Sequence, residues 1–300
     1  MIWAHCRDLT RLTRRKSSHA DSTRRLVVME NNSQENALFD RMPLAAMHIR
    51  TALGNIYYAA QRLAPPEARD NDPELDKTAA VLYQGYYRLL RLAKDLESLE
   101  LLQRQQPLPV ENTDLKVWLD EIVQEATVPF QLKGVTLKML CPERYVVTAV
   151  DTHWLGQAVW HLLNNALCAC ADGGHVTVKL TVQKPSVLLE ITDDGCGISA
   201  ARQELLFDWL MRPKEPEYLT GGLGVGLPLS YRVAQLHGGQ LLLDSREGEG
   251  TTATLVLPLR RADSQISDNV FQYTGGFQRS LLELSTALPD TAFLTRHLDE

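Results

Sequence analysis

Two runs of apolar residues, stepping alternately by four and three, constrain this chain most. Leu38, Met42, Ala45, Ile49, Ala52, Ile56, Ala59 and Leu63 make the first. Leu75, Ala79, Leu82, Tyr86, Leu89, Ala93 and Leu96 make the second. Such spacing keeps one stripe of a helix apolar over many turns, as lengthwise packing on another helix requires. Between the runs, Pro65-Pro66 interrupts the helical hydrogen bonding, and the polar stretch Glu67–Pro73 predicts a loop. Two long helices joined by a short connection predict an antiparallel hairpin. Leu53, Leu90, Leu92 and Leu99 widen the stripe beyond what one partner helix covers. Pairing with a second copy, as a four-helix dimer core, is the expected outlet; packing on the chain's own second domain is the other.

The remainder reads differently. Gln105-Gln106-Pro107-Leu108-Pro109 marks a linker. Asp114 caps a helix with apolar positions Leu115, Trp118, Leu119, Ile122 and Val123, and Asp151 opens a second, strongly apolar helix reaching about Ala171. Strands are predicted over Val135–Leu140, Tyr145–Val150, His175–Val182, Val187–Thr192, Gln240–Ser245 and Thr251–Pro258. Helices and strands mix without regular βαβ alternation, so an α/β sandwich fits better than a Rossmann sheet. The expected class is α+β, a helical hairpin followed by a sandwich. The divisions are a basic arm over 1–35, the hairpin over 36–106, the sandwich over 112–260 and a tail over 261–300. In that tail, Phe277–Leu284 predicts a short helix, with Leu281 and Leu282 able to dock on a neighbour.

The 300 residues carry a net charge of −6, which argues against a general nucleic-acid binder. No run of about 18 apolar residues suggests a membrane span. The N-terminus lacks the apolar core of a secretory signal, so a cytoplasmic setting is expected. The arm carries Arg7, Arg11, Arg14, Arg15, Lys16, Arg24 and Arg25. It is open as a contact for an anionic partner, a solvated tail, or a stretch upstream of a true start at Met29. Five scattered cysteines form no C-x-x-C pair, which speaks against a zinc site or a disulfide framework.

Four stretches carry chemistry. Gly221-Gly222-Leu223-Gly224-Val225-Gly226-Leu227 runs straight into an amphipathic helix. Glycine lets backbone approach a bulky anion, and a helix N-terminus offers unpaired N–H groups, so this junction suits a polyphosphate. His161 and Asn165 stand four apart on the helix opened by Asp151 and share a face. The Asn165 amide oxygen suits Mg²⁺ held mostly by phosphate oxygens. Asp193, at a strand end beside Gly195 and Gly197, suits an exocyclic amine. Thr251, after Gly248-Glu249-Gly250, places a hydroxyl where it reaches a base edge directly or through water. Taken singly, each also reads blandly: a flexible connection, a solvated amide, an Asp-Gly turn.

In this order, the stretches resemble the N, G1, F, G2 and G3 boxes of the histidine-kinase ATPase domain, whose wider relatives share the Bergerat ATP fold. The F box is Leu206-Phe207-Asp208-Trp209-Leu210, with Phe207 matching and Leu210 where a second aromatic is usual. The resemblance implies ATP and Mg²⁺ as cofactors, Asp193 as the adenine reader, Asn165 as the Mg²⁺ ligand, and Gly222, Gly224 and Gly226 as lid glycines. It covers roughly 112–260. The hairpin resembles the family's dimerisation and phosphoacceptor domain. Aligning Arg50-Thr51-Ala52-Leu53 on the family's Arg-Thr-Pro-Leu puts Met47 where the phosphorylated histidine belongs and His48 on the next position. His48 then stands as the possible acceptor, and Thr51 matches the threonine used in dephosphorylating a response regulator. His161 replaces an Asn or a catalytic Glu, and Cys168 a phosphate-facing Lys.

The resemblance therefore implies an ATP-binding signalling kinase that passes phosphate through a histidine to a response-regulator receiver domain, as a homodimer. The rival is a kinase-inactive, nucleotide-gated module or a response-regulator phosphatase, because Met47 takes the acceptor's place. A serine/threonine kinase of the anti-sigma type is a third option, disfavoured by the long hairpin.

Overall fold

The computed structural model describes residues 42–99, 101, 106–203, 224–263 and 278–298. Leu38, the basic arm, the F box with Phe207, and the lid residues Gly222 and Leu223 lie outside them.

The hairpin is built from α1 (Met42–Leu63) and α3 (Pro73–Ser98). Between them, 66–71 is not a loop but a short helix, α2 (Pro66–Asn71). Pro66 sits in its first turn, where the missing N–H costs nothing, so this proline starts a helix as well as ending one. Asp72 then caps α3, its carboxylate accepting from the Glu74 and Leu75 amides.

Inside the hairpin, α1 buries Ala46, Leu53 and Ala60, with Ala64 just past its end, on the side where Ala79, Tyr83, Tyr86, Leu90 and Ala93 of α3 are buried. Tyr57 stacks on Tyr86 at 4.9 Å between ring centroids and meets Tyr83 edge-on at 5.6 Å. The buried stripe on α1 thus lies one residue along from the sequence seam. Ala45, Ile49, Ala52, Ile56, Ala59 and Leu63 face outward instead. α1 carries two apolar stripes of the same period; α3 covers one and leaves the other exposed.

A five-stranded sheet follows, in the order β2-β4-β5-β7-β6, from β2 (Thr136–Leu140), β4 (His175–Gln183), β5 (Ser186–Asp193), β6 (Gln240–Arg246) and β7 (Gly250–Pro258). β2 and β4 run parallel and the other pairs antiparallel. A separate ribbon pairs β1 (Glu111–Asp114) with β3 (Val147–Val150). The sequence missed β1, whose Glu-Asn-Thr-Asp has no strand-like alternation. Val176, Val178 and Leu180 alternate inward on β4, as do Val187, Leu189 and Ile191 on β5. That face carries α4 (Leu115–Leu132), α5 (Thr152–Ala169) and α6 (Gly226–Leu236), completing the sandwich. Trp118, Phe130 and Trp160 are fully buried in this layer. Past β7, α7 (Arg279–Leu284) and two 3₁₀ turns bury Leu281, Leu284, Leu288 and Phe293. The neighbour on which this tail docks is the chain's own hairpin and helical layer. No helix among the described residues is long and apolar enough to cross a membrane.

Candidate functional site

The candidate site residues lie on and around α5, which packs on β5 and on α6. β5 ends at Asp193, which is 7% exposed. Its Oδ1 accepts the Gly195 amide at 3.0 Å, and the Thr251 amide donates to the same carboxylate. Two of a carboxylate's roughly four acceptor positions are thereby used, leaving capacity for a ligand amine. Burial raises the Asp193 pKa, outweighing the two amides that lower it. Asp194 points elsewhere. It accepts from the His175 amide at 2.7 Å and pairs with the His175 ring at 3.0 Å, tying the loop to β4.

The glycines here let three chain segments approach closely. A Cβ on Gly195 would lie 2.5 Å from the Ala169 carbonyl. Gly197 has φ +63, and a Cβ there would lie 1.9 Å from the Arg246 carbonyl. A Cβ on Gly250 would lie 2.0 Å from the Asp193 carbonyl. Ser245, which the sequence did not single out, knots these segments. Its Oγ accepts the Ile198 amide at 2.9 Å, donates to the Gly250 carbonyl at 3.0 Å, and meets Thr251 Oγ1 at 2.9 Å. A strand serine carries no spacing signal, so only the fold identifies it.

α5 is positioned at both ends. Asp151 caps it by accepting the Trp154 amide at 3.0 Å. The Asp151 amide donates to His237 Nε2 at 2.9 Å, while His237 Nδ1 sits 2.8 Å from the Val233 carbonyl, so Nδ1 carries the proton. Near its other end, Asn165 and Cys168 are exposed. α6 begins two residues after Gly224, which has φ +61, and Val225 at its N-cap makes no side-chain capping bond. The first α6 amides thus keep donor capacity beside α5. Leu227 packs on the core.

His161 is drawn away from this open face. It is 5% exposed, and a Cβ on Gly226 would lie 2.9 Å from its Nδ1. Its Nδ1 lies 3.3 Å from Arg91 Nη2, and its Nε2 3.6 Å from Asp95 Oδ1, both on α3. Burial first, then the Arg91 charge, pushes its pKa down to about 3. Burial likewise pushes Asp95 up to about 6. The contact is therefore between a neutral imidazole and a carboxylate, not an ion pair. Sharing a helix face with Asn165 does not give His161 the same surroundings, because α3 covers it one turn earlier.

The hairpin candidates lie on α1. His48 and Thr51 are exposed on α1, with Thr51 Oγ1 donating to the Met47 carbonyl at 3.0 Å. Arg50 beside them pairs with Glu97 of α3 at 2.6 Å. Among the described residues no group of three or more His, Cys, Asp or Glu stands ready to hold a metal.

Residues 150–261 match the family of histidine kinase-, DNA gyrase B-, and HSP90-like ATPases. The chain is similar to the sensor histidine kinase WalK of Bacillus subtilis (strain 168), at 36% identity over 40% of this chain and 20% of that one. It is similar to the adaptive-response sensory kinase SasA of Parasynechococcus marenigrum (strain WH8102), at 26% identity over 77% of this chain and 62% of that one. It spans from about a fifth to less than two thirds of the length of such curated relatives. Among solved structures, full-length ShkA in complex with AMPPNP superposes with a TM-score of 0.59 at 19% identity, over 75% of this chain and 47% of that one. This last likeness is one of fold.

Proposed function

Taking residues 150–261 as an ATPase domain of the histidine kinase-, DNA gyrase B- and HSP90-like family, we propose that the chain is an ATP-binding, histidine-kinase-like protein of two-component signalling. The observation that carries this reading is Asp193, a buried carboxylate with acceptor capacity left over, at the end of a strand packed on α5, the helix that carries exposed Asn165 and packs on α6.

In this reading the Asp193 carboxylate accepts the adenine amine, with Thr251 at the same edge. Gly195 and Gly197 keep the loop low enough for a flat base. The resemblance assigns Phe207 and Gly222, Leu223, Gly224, Val225, Gly226 and Leu227 to nucleotide binding, and the α6 amides donate to phosphate oxygens. Asn165, exposed on α5, would supply an amide oxygen to Mg²⁺ held mostly by phosphate oxygens. When bound, the metal neutralises phosphate charge, and the protein's part is mainly positioning. His48 on α1 is the acceptor: its neutral ring nitrogen bonds the γ-phosphorus as the bond from that phosphorus to the β–γ bridging oxygen breaks, ADP leaves with that electron pair, and the other ring nitrogen gives its proton to solvent. The phosphoryl group then passes to a receiver-domain aspartate of a response regulator.

The divisions at 36–106, 112–260 and 261–300, pairing of the hairpin with a second copy, and a cytoplasmic setting belong to the same proposal. Nucleic acid is not expected as a partner. One observation favours a second reading: Met47 takes the acceptor's place, while Thr51 stays exposed beside it. That suits a nucleotide-gated module or a response-regulator phosphatase.

Incubation with γ-labelled ATP and Mg²⁺ separates the two. Acid-labile label that disappears in His48→Ala is the expected result. Measurable ATP affinity without label supports the module instead.

A further inference from the structure

The C-terminal segment does more than fill a groove. It lies along α3 from Asp76 to Lys94, ~27 Å of helix at about 1.5 Å per residue, and is fixed at every level. Thr295 donates to Asp76 Oδ1 through its amide at 3.1 Å and its hydroxyl at 2.8 Å. Arg69 donates to the Phe293 carbonyl at 2.8 Å, and the Phe293 ring packs on Tyr87 at 5.3 Å. Gln84 donates to the Leu288 carbonyl at 2.9 Å and Arg88 to the Ser285 carbonyl at 3.2 Å. Arg91 donates to the Glu283 carbonyl, and Lys94 pairs with the Glu283 carboxylate.

The same segment holds the sandwich. Thr286 Oγ1 donates to Asn164 Oδ1 on α5 at 2.9 Å and accepts from Arg91 at 3.2 Å. The Arg279 guanidinium lies 5.7 Å from the Trp160 ring, where Gly156 leaves room for it. Leu281 and Leu284 are buried against the helical layer. Direct contact between α3 and α5 is polar by comparison: Ser98 donates to Gln157 at 2.8 Å, and Arg91 and Asp95 flank His161.

Charge explains why the segment matters. Arg91 and Glu283 are both nearly fully buried, and Lys94 is largely so. With Glu283 in place, two cations face two carboxylates, Asp95 and Glu283; without it, Asp95 alone faces both. Buried cations lacking a partner are strongly disfavoured. Burial would raise the Glu283 pKa, but Lys94 and then Arg91 hold it below the ordinary value.

We propose that residues 278–298 form an intramolecular strap that fastens the hairpin to the sandwich and sets the orientation of one on the other. The strap grips α5 at Asn164, one residue before Asn165, so its placement is joined through one helix to the open face of the site. The proposal does not depend on nucleotide binding.

The test measures the distance between spin labels at Tyr58→Cys on the hairpin and Tyr145→Cys on the sandwich, in full-length protein lacking its native cysteines. One narrow distribution is expected with the strap intact. Glu283→Lys, which sets a third cation against Arg91 and Lys94, is expected to broaden it at least about twofold while far-ultraviolet circular dichroism stays unchanged. Thr286→Val, which removes hydrogen bonds at nearly constant volume, is expected to broaden it less. If Glu283→Lys unfolds the chain, Thr286→Val decides by the same width. An unchanged distribution in folded variants overturns the proposal.

Discussion

Gly197 and Gly173 separate two reasons for a glycine. Both have positive φ, +63 and +83, but a Cβ on Gly173 meets nothing within 4 Å, whereas on Gly197 it strikes the Arg246 carbonyl. Gly173→Ala should therefore cost only the left-handed conformation, about 1–2 kcal/mol. Gly197→Ala should cost clearly more, read as a lower urea midpoint at unchanged slope. At Asp193 the expectation concerns affinity. Asp193→Asn should lower Mg-ATP affinity roughly ten- to hundredfold by calorimetry, since a hydrogen bond to a charged group contributes about 1.5–3 kcal/mol. Burial raises this group's pKa, so wild-type affinity should fall on acidification sooner than an ordinary aspartate would allow. The asparagine variant should lack that fall. That Asp193 closes a strand beside Gly195 and Gly197 was legible in the sequence because the spacing is local. Ser245 was not: Gly250 and Thr251 lie across its own turn, but Ile198, the third partner, is 47 positions away.

Helix α5 shows how elements are fixed by groups outside them. Its Asp151 cap was readable, but the acceptor for the Asp151 amide is His237, beyond the end of α6. Burial depresses the His237 pKa below 6.5, and protonation would turn Nε2 from acceptor to donor. The unfolded chain takes up this proton first as pH falls, so stability is lost below about pH 6.5. His237→Gln should lose less stability than wild type between about pH 7 and pH 5, measured by urea unfolding; an equal loss would place the acid sensitivity elsewhere. The short α2 escaped prediction for a different reason. Pro65-Pro66 reads as a stop, and only the turn of the chain toward α3 makes Pro66 a first-turn residue.

At the scale of the whole molecule, the uncovered stripe of α1 and its neighbours on α3 remain. Ile56 and Leu89 are 47% and 48% exposed, on the outer face of a hairpin whose inner face is filled. If a second copy covers them, Ile56→Glu with Leu89→Glu should turn a dimer into a monomer by light scattering, while ATP affinity is kept. Periodicity in the sequence was enough to specify two long antiparallel helices and the class of the sandwich, because each depends on residues a few positions apart. It misassigned which stripe of α1 faces α3, since two stripes of equal period differ only in what lies opposite. It also left the tail without a role, and set His161 beside Asn165 on one helix face. The covering of His161 by Arg91 and Asp95, and the seating of Glu283 among buried cations, join residues up to 192 positions apart. Contacts at such separations leave no repeat or spacing in the chain, so packing alone decides them.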